Sequence, residues 1–254
     1  MTLDPGSAAI IQLAWARRLG LDDDAFGDAL ASGERIVRAD ESARTVEFVR
    51  LFGSSVLVGP RSIIEAAAGI PDEEMAQHVT LLKLAREQGG HGLGAAALFF
   101  ADDLPLQQPS EELTVSHGNP EAIELEGRCP PDDVNEVRLS DLENRYTIVH
   151  ELDGRRVPLA CGAYGEWEGL LANMGVLVDP GWRRRGLGAL AGSIAAHEAL
   201  AAGLTLQWRA DVSNTGCLAL AERKRAFPRA LRVAGGLSTQ TLREYVAQHP
   251  APDQ

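Results

Sequence analysis

Apolar positions recur along the chain with two spacings, and the alternation between them predicts a mixed α/β protein. Ser7 offers a capping hydroxyl ahead of an apolar stretch to about Leu19, and Asp22–Asp24 can open a second helix through Leu30, because side-chain oxygens accept the free N–H groups of a helix start. "ARTVEFVRLFGSSVLVGP", residues 43–60, holds two β-branched or apolar runs around Gly53 and Ser54 and predicts a hairpin. "RSIIEAAAG" and "PDEEMAQHVTLLKLAREQGG" carry helical spacing, with Pro71 at a helix start and Gly89 at its end, and "GAAALFF" follows as a strand.

From Asp102 to Asp133 the pattern lapses: Pro105, Pro109, Pro120, Pro130 and Pro131 stand among many acids, a composition that separates two units. A boundary near residue 110 divides an N-terminal α/β domain, 1–110, from a second domain, 111–254. In the second, "RYTIVHEL" and "RRVPLACGAY" are strand-like runs joined across Asp153 and Gly154, a two-residue hairpin turn. "GLLANMGVLV" is another strand, a helix runs from Gly188 to Ala202 and stops at Gly203, and "LTLQWRA" is the next strand. A helix over about Asn214–Arg225, a strand near "ALRVAG" and a terminal helix near Thr239–Gln248 complete the order.

Composition narrows the setting. With 254 residues and 45% hydrophobic content the chain can bury a large core. Met1–Gly20 has no basic leader, and no run approaches the roughly 18 uncharged apolar residues of a membrane helix, so the expectation is a soluble, unexported, cytoplasmic protein with no membrane partner. Cys129, Cys161 and Cys217 are odd in number and lack metal-ligand spacing, which predicts buried thiols, no disulfide framework and no metal site. A formal net charge of -12 disfavours nucleic acid and favours a cationic partner such as an amine. Arginine supplies nearly all the positive charge, Lys83 and Lys224 being the only lysines. An oligomer is compatible with all of this.

One stretch carries chemistry. In "VLVDPGWRRRGLGALAG", residues 176–192, the strand stops at Pro180, the chain turns through 181–187, and a helix begins. Gly186 and Gly188 let successive backbone N–H groups converge on an outside oxygen, to which the helix start adds its positive dipole end. Arg183, Arg184 and Arg185 lie beside this anion nest. Gly186, Gly188 and Ala191 also satisfy the dinucleotide pattern G-x-G-x-x-A, with Asp211 ending the next strand where a ribose-binding acid belongs, so a nucleotide-cofactor oxidoreductase is the rival reading. Against it, seven residues, Asp179–Arg185, separate strand from first glycine, and only about 40 residues follow Asp211, too few for a doubly wound sheet.

The same stretch resembles the signature of the GNAT acetyltransferase superfamily, V-x-P-x-x-R-x-x-G-x-G, matched at Val178, Pro180, Arg183, Gly186 and Gly188. "LTLQWRADVSNTGCLALAERKRAF" resembles that family's next strand and helix, with Asn214 at the position of a cofactor-contacting asparagine. The resemblance covers about residues 115–250 and implies a mixed, mostly antiparallel sheet with splayed central parallel strands, flanked by helices. The strand-strand-helix-strand order of the first domain is compatible with a degenerate half of the same fold, without a second cofactor loop.

The resemblance further implies acetyl-coenzyme A as cosubstrate, its diphosphate on Arg183, Arg184, Arg185, Gly186, Leu187, Gly188 and Ala189, its pantetheine arm in the gap between two parallel strands, and Asn214 as a further contact. A backbone N–H near Leu177 or Val178 would meet the oxyanion formed when an amine attacks the thioester. The chain departs from the family pattern at two positions: the usual glutamate base is Asn173 and the usual tyrosine acid is Ala221. Glu166, Glu168 and Tyr164 are the nearby candidates for proton transfer. The expected function is N-acetyl transfer from acetyl-coenzyme A to an amine, with the N-terminal domain shaping the amine site; a catalytically silent acyl-coenzyme A sensor is the third reading. His197-Glu198 opens an H-E-x-x-H pattern that fails at Ala201, and "GGHGLGAA", residues 89–96, reads as a helix stop leading into a strand.

Overall fold

The computed structural model describes residues 3–43, 45–87, 94–104, 113–152, 154–211 and 229–234. In chain order these form α1 (Pro5–Leu19), α2 (Ala25–Ser32), β1 (Ile36–Ala39), β2 (Glu47–Leu51), β3 (Ser54–Gly59), α3 (Arg61–Ala67), α4 (Asp72–Met75), α5 (His78–Arg86) and β4 (Ala95–Ala101). There follow β5 (Thr114–His117), α6 (Asn119–Arg128), α7 (Pro131–Val137), β6 (Asn144–Leu152), β7 (Arg155–Trp167), β8 (Leu171–Val178), α8 (Leu187–Ala201), β9 (Thr205–Asp211) and β10 (Arg229–Ala234). The expected helices near 214–225 and 239–248, the expected boundary at 110, and Cys217 lie outside the described residues. Among the described residues no helix is long and apolar enough to cross a membrane.

Two compact units interleave along the chain. One is built from Trp15–Leu98 together with β10. Its strands run in the order β1-β3-β2-β10. The hairpin expected over 43–60 is β2–β3, antiparallel from Glu47↔Val58 to Leu51↔Ser54. Phe52 and Gly53 at its tip both have positive φ, 51° and 96°, the turn whose twist matches that of the strands it joins. β1 pairs parallel with β3 and has no counterpart in the sequence reading: it is four residues long and alternates half-buried with exposed positions. The helical run from Pro71 is two helices, broken between Met75 and His78, and Met75, Leu81 and Leu84 bury against Phe48 and Leu57. Within this unit Arg35 pairs with Asp72, donates to the Ile70 carbonyl at 2.6 Å and lies over the Phe48 ring, so its buried charge is compensated.

The other unit takes Phe99–Arg209 and the chain's start up to Ala14. Helix α1 begins ahead of Ser7: Asp4, not Ser7, caps it, accepting the Gly6 N–H at 2.8 Å, and Pro5 occupies the first turn, where no N–H is required. Two prolines of the expected inter-domain segment have the same role. Pro120 and Pro131 stand at the starts of α6 and α7, so 114–137 is a strand and two helices rather than a linker.

Strand order in this unit is β9-β8-β7-β6-β5, antiparallel from β5 to β8 and parallel between β8 and β9. Ala122 and Leu125 of α6 close over Cys161, Ala163 and Leu177 on one face, with Val134 and Val137 of α7 beside them. Leu187 and Ala191 of α8 close over Ile148, Leu159 and Ala160 on the other. Alternation along each strand sends successive side chains to these two faces. Helix α8 approaches unusually closely: a Cβ on Gly162 of β7 would collide with the Ala191 carbonyl.

That approach makes Gly162→Ala costly, because the obstacle is helix backbone and cannot rotate away. A loss of about 3 kcal/mol in urea unfolding is expected. Gly127→Ala, which meets open space in α6, should instead stabilise by roughly 0.5–1 kcal/mol.

Candidate functional site

β8 has main-chain groups on both edges, and only one edge is fully paired. Asp179 donates its N–H to the Leu159 carbonyl of β7 at 2.9 Å, whereas Leu170 accepts from the Thr205 N–H at 3.2 Å. Main-chain groups alternate sides along a strand, so odd-numbered residues of β8 face β7 and even-numbered ones face β9. The ladder with β9 runs from Leu171↔Thr205 to Met174↔Trp208 and ends there, although β8 continues to Val178. Val176 and Val178 therefore direct main-chain groups to an edge that β9 has left. Leu177, by the same alternation, turns its N–H towards β7.

The chain then closes a tight, braced loop. Asp179 is 6% exposed; its carboxylate accepts from the Gly181 N–H at 2.8 Å and from Arg128 Nε at 2.7 Å, pinning the 3₁₀ turn Pro180–Trp182. Arg183 donates Nε–H to the Val178 carbonyl at 3.3 Å and pairs with Asp133. The Cys129 thiol also donates to that carbonyl, at 3.6 Å; burial pushes its pKa up, and the neighbouring Arg183 charge opposes the shift. Cys161, more deeply buried among α6 contacts, is pushed up for the same reason, and both cysteines are free thiols.

φ is positive at Arg184 (62°) and Gly186 (83°) but not at Arg185 between them. Such alternation of handedness turns successive N–H groups towards a common point. Gly186 caps α8 with no side-chain hydrogen bond, and the first N–H groups of a helix have no acceptor within the helix itself. Leu187 is buried, Gly188 and Ala189 are half-buried, and Arg183, Arg184, Arg185 and Gly186 are exposed. A Cβ on Gly188 would stand 3.0 Å from Val178 Cγ2, so the helix start sits directly against the end of β8. Among the described residues Arg184 and Arg185 have no ion pair, and Arg185 lies over the Trp182 ring, 4.7 Å from its centre.

The proton-transfer candidates do not converge. Asn173 is half-buried, opposite Gly165 and Gln207, and shares the α6–α7 face with Gly175, whose absent Cβ makes room for Val137 and Leu142. Tyr164 and Glu166 lie on the α8 face: Tyr164 is 5% exposed and Glu166 is exposed opposite Ala172. Glu168 is exposed in the following turn, with φ 54°. Asn214 and Ala221 fall outside the described residues. Sequence reasoning missed the braces, Arg128, Asp133 and Asp179, although Asp179-Pro180-Gly181 is a recognisable Asx-turn signal.

It also missed the partner of Tyr164. The two tyrosine rings stack at 6.4 Å and 15°, and His117 meets Tyr146 edge-on at 5.1 Å. Burial, then the neighbouring Tyr164 and Glu198, push the Tyr146 phenol up to about 12. The unfolded phenol ionises near 10, so the stabilisation is complete below that pH and is lost as pH rises from about 10 to 12. Unfolding monitored across that interval should show a stability decline that Tyr146→Phe reduces.

A model of the acetyltransferase (GNAT) family matches residues 113–227. Solved structures similar to the chain include a putative GNAT acetyltransferase from Novosphingobium aromaticivorans, 18% identical over 57% of this chain and 64% of that one, with a TM-score of 0.43. Another is a GCN5-related N-acetyltransferase from Kribbella flavida, 18% identical over 61% of this chain and 62% of that one, TM-score 0.41. A third, a GNAT family acetyltransferase from Elizabethkingia anophelis with acetyl-CoA bound, is 15% identical over 45% of this chain and 75% of that one, TM-score 0.35. The chain spans less than two thirds of the length of the first two. No curated protein matches the chain.

Proposed function

We propose that this chain, whose residues 113–227 match a model of the acetyltransferase (GNAT) family, transfers an acetyl group from acetyl-coenzyme A to an amine by direct attack. The observation that carries the reading is the meeting of the β8 edge beyond the end of the β9 ladder, at Val176 and Val178, with the start of α8, which has no side-chain cap, behind a loop of alternating φ. The nest of N–H groups over 184–188 would receive the diphosphate, with Leu187, Gly188 and Ala189 in the first helical turn. The β8 edge would pair with the pantetheine amides as a neighbouring strand does.

In the reaction the amine nitrogen forms a bond to the thioester carbonyl carbon, the carbon–sulfur bond breaks, and coenzyme A leaves as thiolate. The Val178 N–H, rather than that of Leu177, is the main-chain donor directed to the open edge and suited to the developing oxyanion. Asn173 has no basic atom for the ammonium proton, and Tyr164 is buried with its ring stacked on Tyr146. Water, ordered by Asn173 or by the exposed Glu166 and Glu168, removes the proton. The thiolate takes one from solvent at small cost, since its conjugate thiol titrates near 8.5. The net charge of -12 favours a cationic amine, and the free thiols of Cys129 and Cys161 suit a reducing cytoplasm.

The oxidoreductase alternative has no support: strands β5 to β8 are antiparallel, not the parallel sheet of a doubly wound fold. Nothing observed favours a silent sensor. Calorimetry should show binding of acetyl-coenzyme A and none of NAD, and a thiol-release assay over a panel of amines should find an acceptor. Gly188→Val should weaken coenzyme A binding at least about tenfold, since its side chain enters both the nest and the Val178 contact. Unchanged affinity in that variant would remove the loop from the cofactor site.

A further inference from the structure

The three arginines of the loop are committed differently. Arg183 is spent within the protein, on Asp133 and on the Val178 carbonyl. Arg185 has no carboxylate partner among the described residues; its guanidinium is held over the Trp182 indole, 4.7 Å from the ring centre. Trp182 is itself held in place: it packs against the buried cluster of Ile148, Leu159, Ala160, Leu187 and Ala191, and the His150 ring lies 6.4 Å away. A guanidinium supported on an indole keeps its N–H fork available and loses less rotamer freedom when an oxyanion arrives.

We propose that Arg185, supported by Trp182, binds a phosphate monoester on the ribose that adjoins the diphosphate, and so selects 3′-phosphorylated coenzyme A thioesters over dephosphorylated ones. The inference rests on the coenzyme A reading above. The diphosphate is served by main-chain N–H groups from 184 to 188, which leaves the adjacent Arg185 charge in excess of that need. Arg185 directly precedes Gly186, the residue that caps α8, so a phosphate only a few bonds from the diphosphate falls within its reach. A phosphate monoester carries about -1.5 to -2 charges at neutral pH, the partner best matched to a guanidinium fork.

The test is calorimetric titration of the full chain and of its Arg185→Ala variant with acetyl-coenzyme A and with its 3′-dephospho counterpart. The wild-type chain should bind the phosphorylated form about tenfold or more tightly than the dephospho form, and the variant should lose that preference, losing much more affinity for the phosphorylated form than for the dephospho one. Because Arg185 is exposed, the fold should tolerate its truncation. A variant that keeps the preference, or that weakens on both ligands equally, overturns the assignment and leaves the coenzyme A reading standing. Failure of the wild-type chain to bind either thioester overturns both.

Discussion

Helix α8 rests on β7 and β8 through glycine and alanine, and the closeness of that contact governs where the helix can begin. Gly162 admits the Ala191 carbonyl, Gly192 approaches Val176, and Gly188 approaches Val178. With glycine on one side of each of these contacts, the helix has little freedom to slide or roll. Its first turn is thereby fixed at the last residues of β8, where the ladder with β9 has already ended. One packing contact places a cluster of N–H donors at the strand edge that β9 has left.

The electrostatics follow from this placement. In a chain with 36 acidic and 24 basic residues, the loop gathers three arginines, yet the donors closest to the helix start are neutral amides. Asp133 and Asp179 are used as braces: each takes up an arginine, and Asp179 also fixes the turn through Gly181. The carboxylates nearest the loop are thus neutralised, while amides and the helix dipole supply a positive field that needs no mobile counterion.

Most of this was legible in the sequence where local chemistry decides structure. The hairpin over 43–60 followed from a glycine at a position that requires positive φ, and the strand, loop and helix over 171–201 followed from Pro180, Gly186 and the alanine run. Illegible parts depend on distant partners. The braces join residues 51 and 50 positions apart, and the Tyr146–Tyr164 stack depends on the register of the β6–β7 hairpin. At four residues β1 is too short for periodicity to register, and its pairing is with β3, beyond an intervening strand. The prolines of this segment are ambiguous in sequence because the same residue can end a strand, separate two units or start a helix; the buried Ala122 and Leu125 downstream mark Pro120 as the last case.

Arg184 holds a left-handed backbone conformation that an L side chain adopts at an energetic disadvantage of about 1–2 kcal/mol. It is kept there by what surrounds it: the pinned turn before it, the Asp133 tether at Arg183 and the anchored indole of Trp182. The loop consequently reaches its receptive shape as the protein folds, not when a ligand arrives. Ligand capture by such a rigid cradle is limited by encounter rather than by rearrangement, and it should be accompanied by little ordering of the polypeptide.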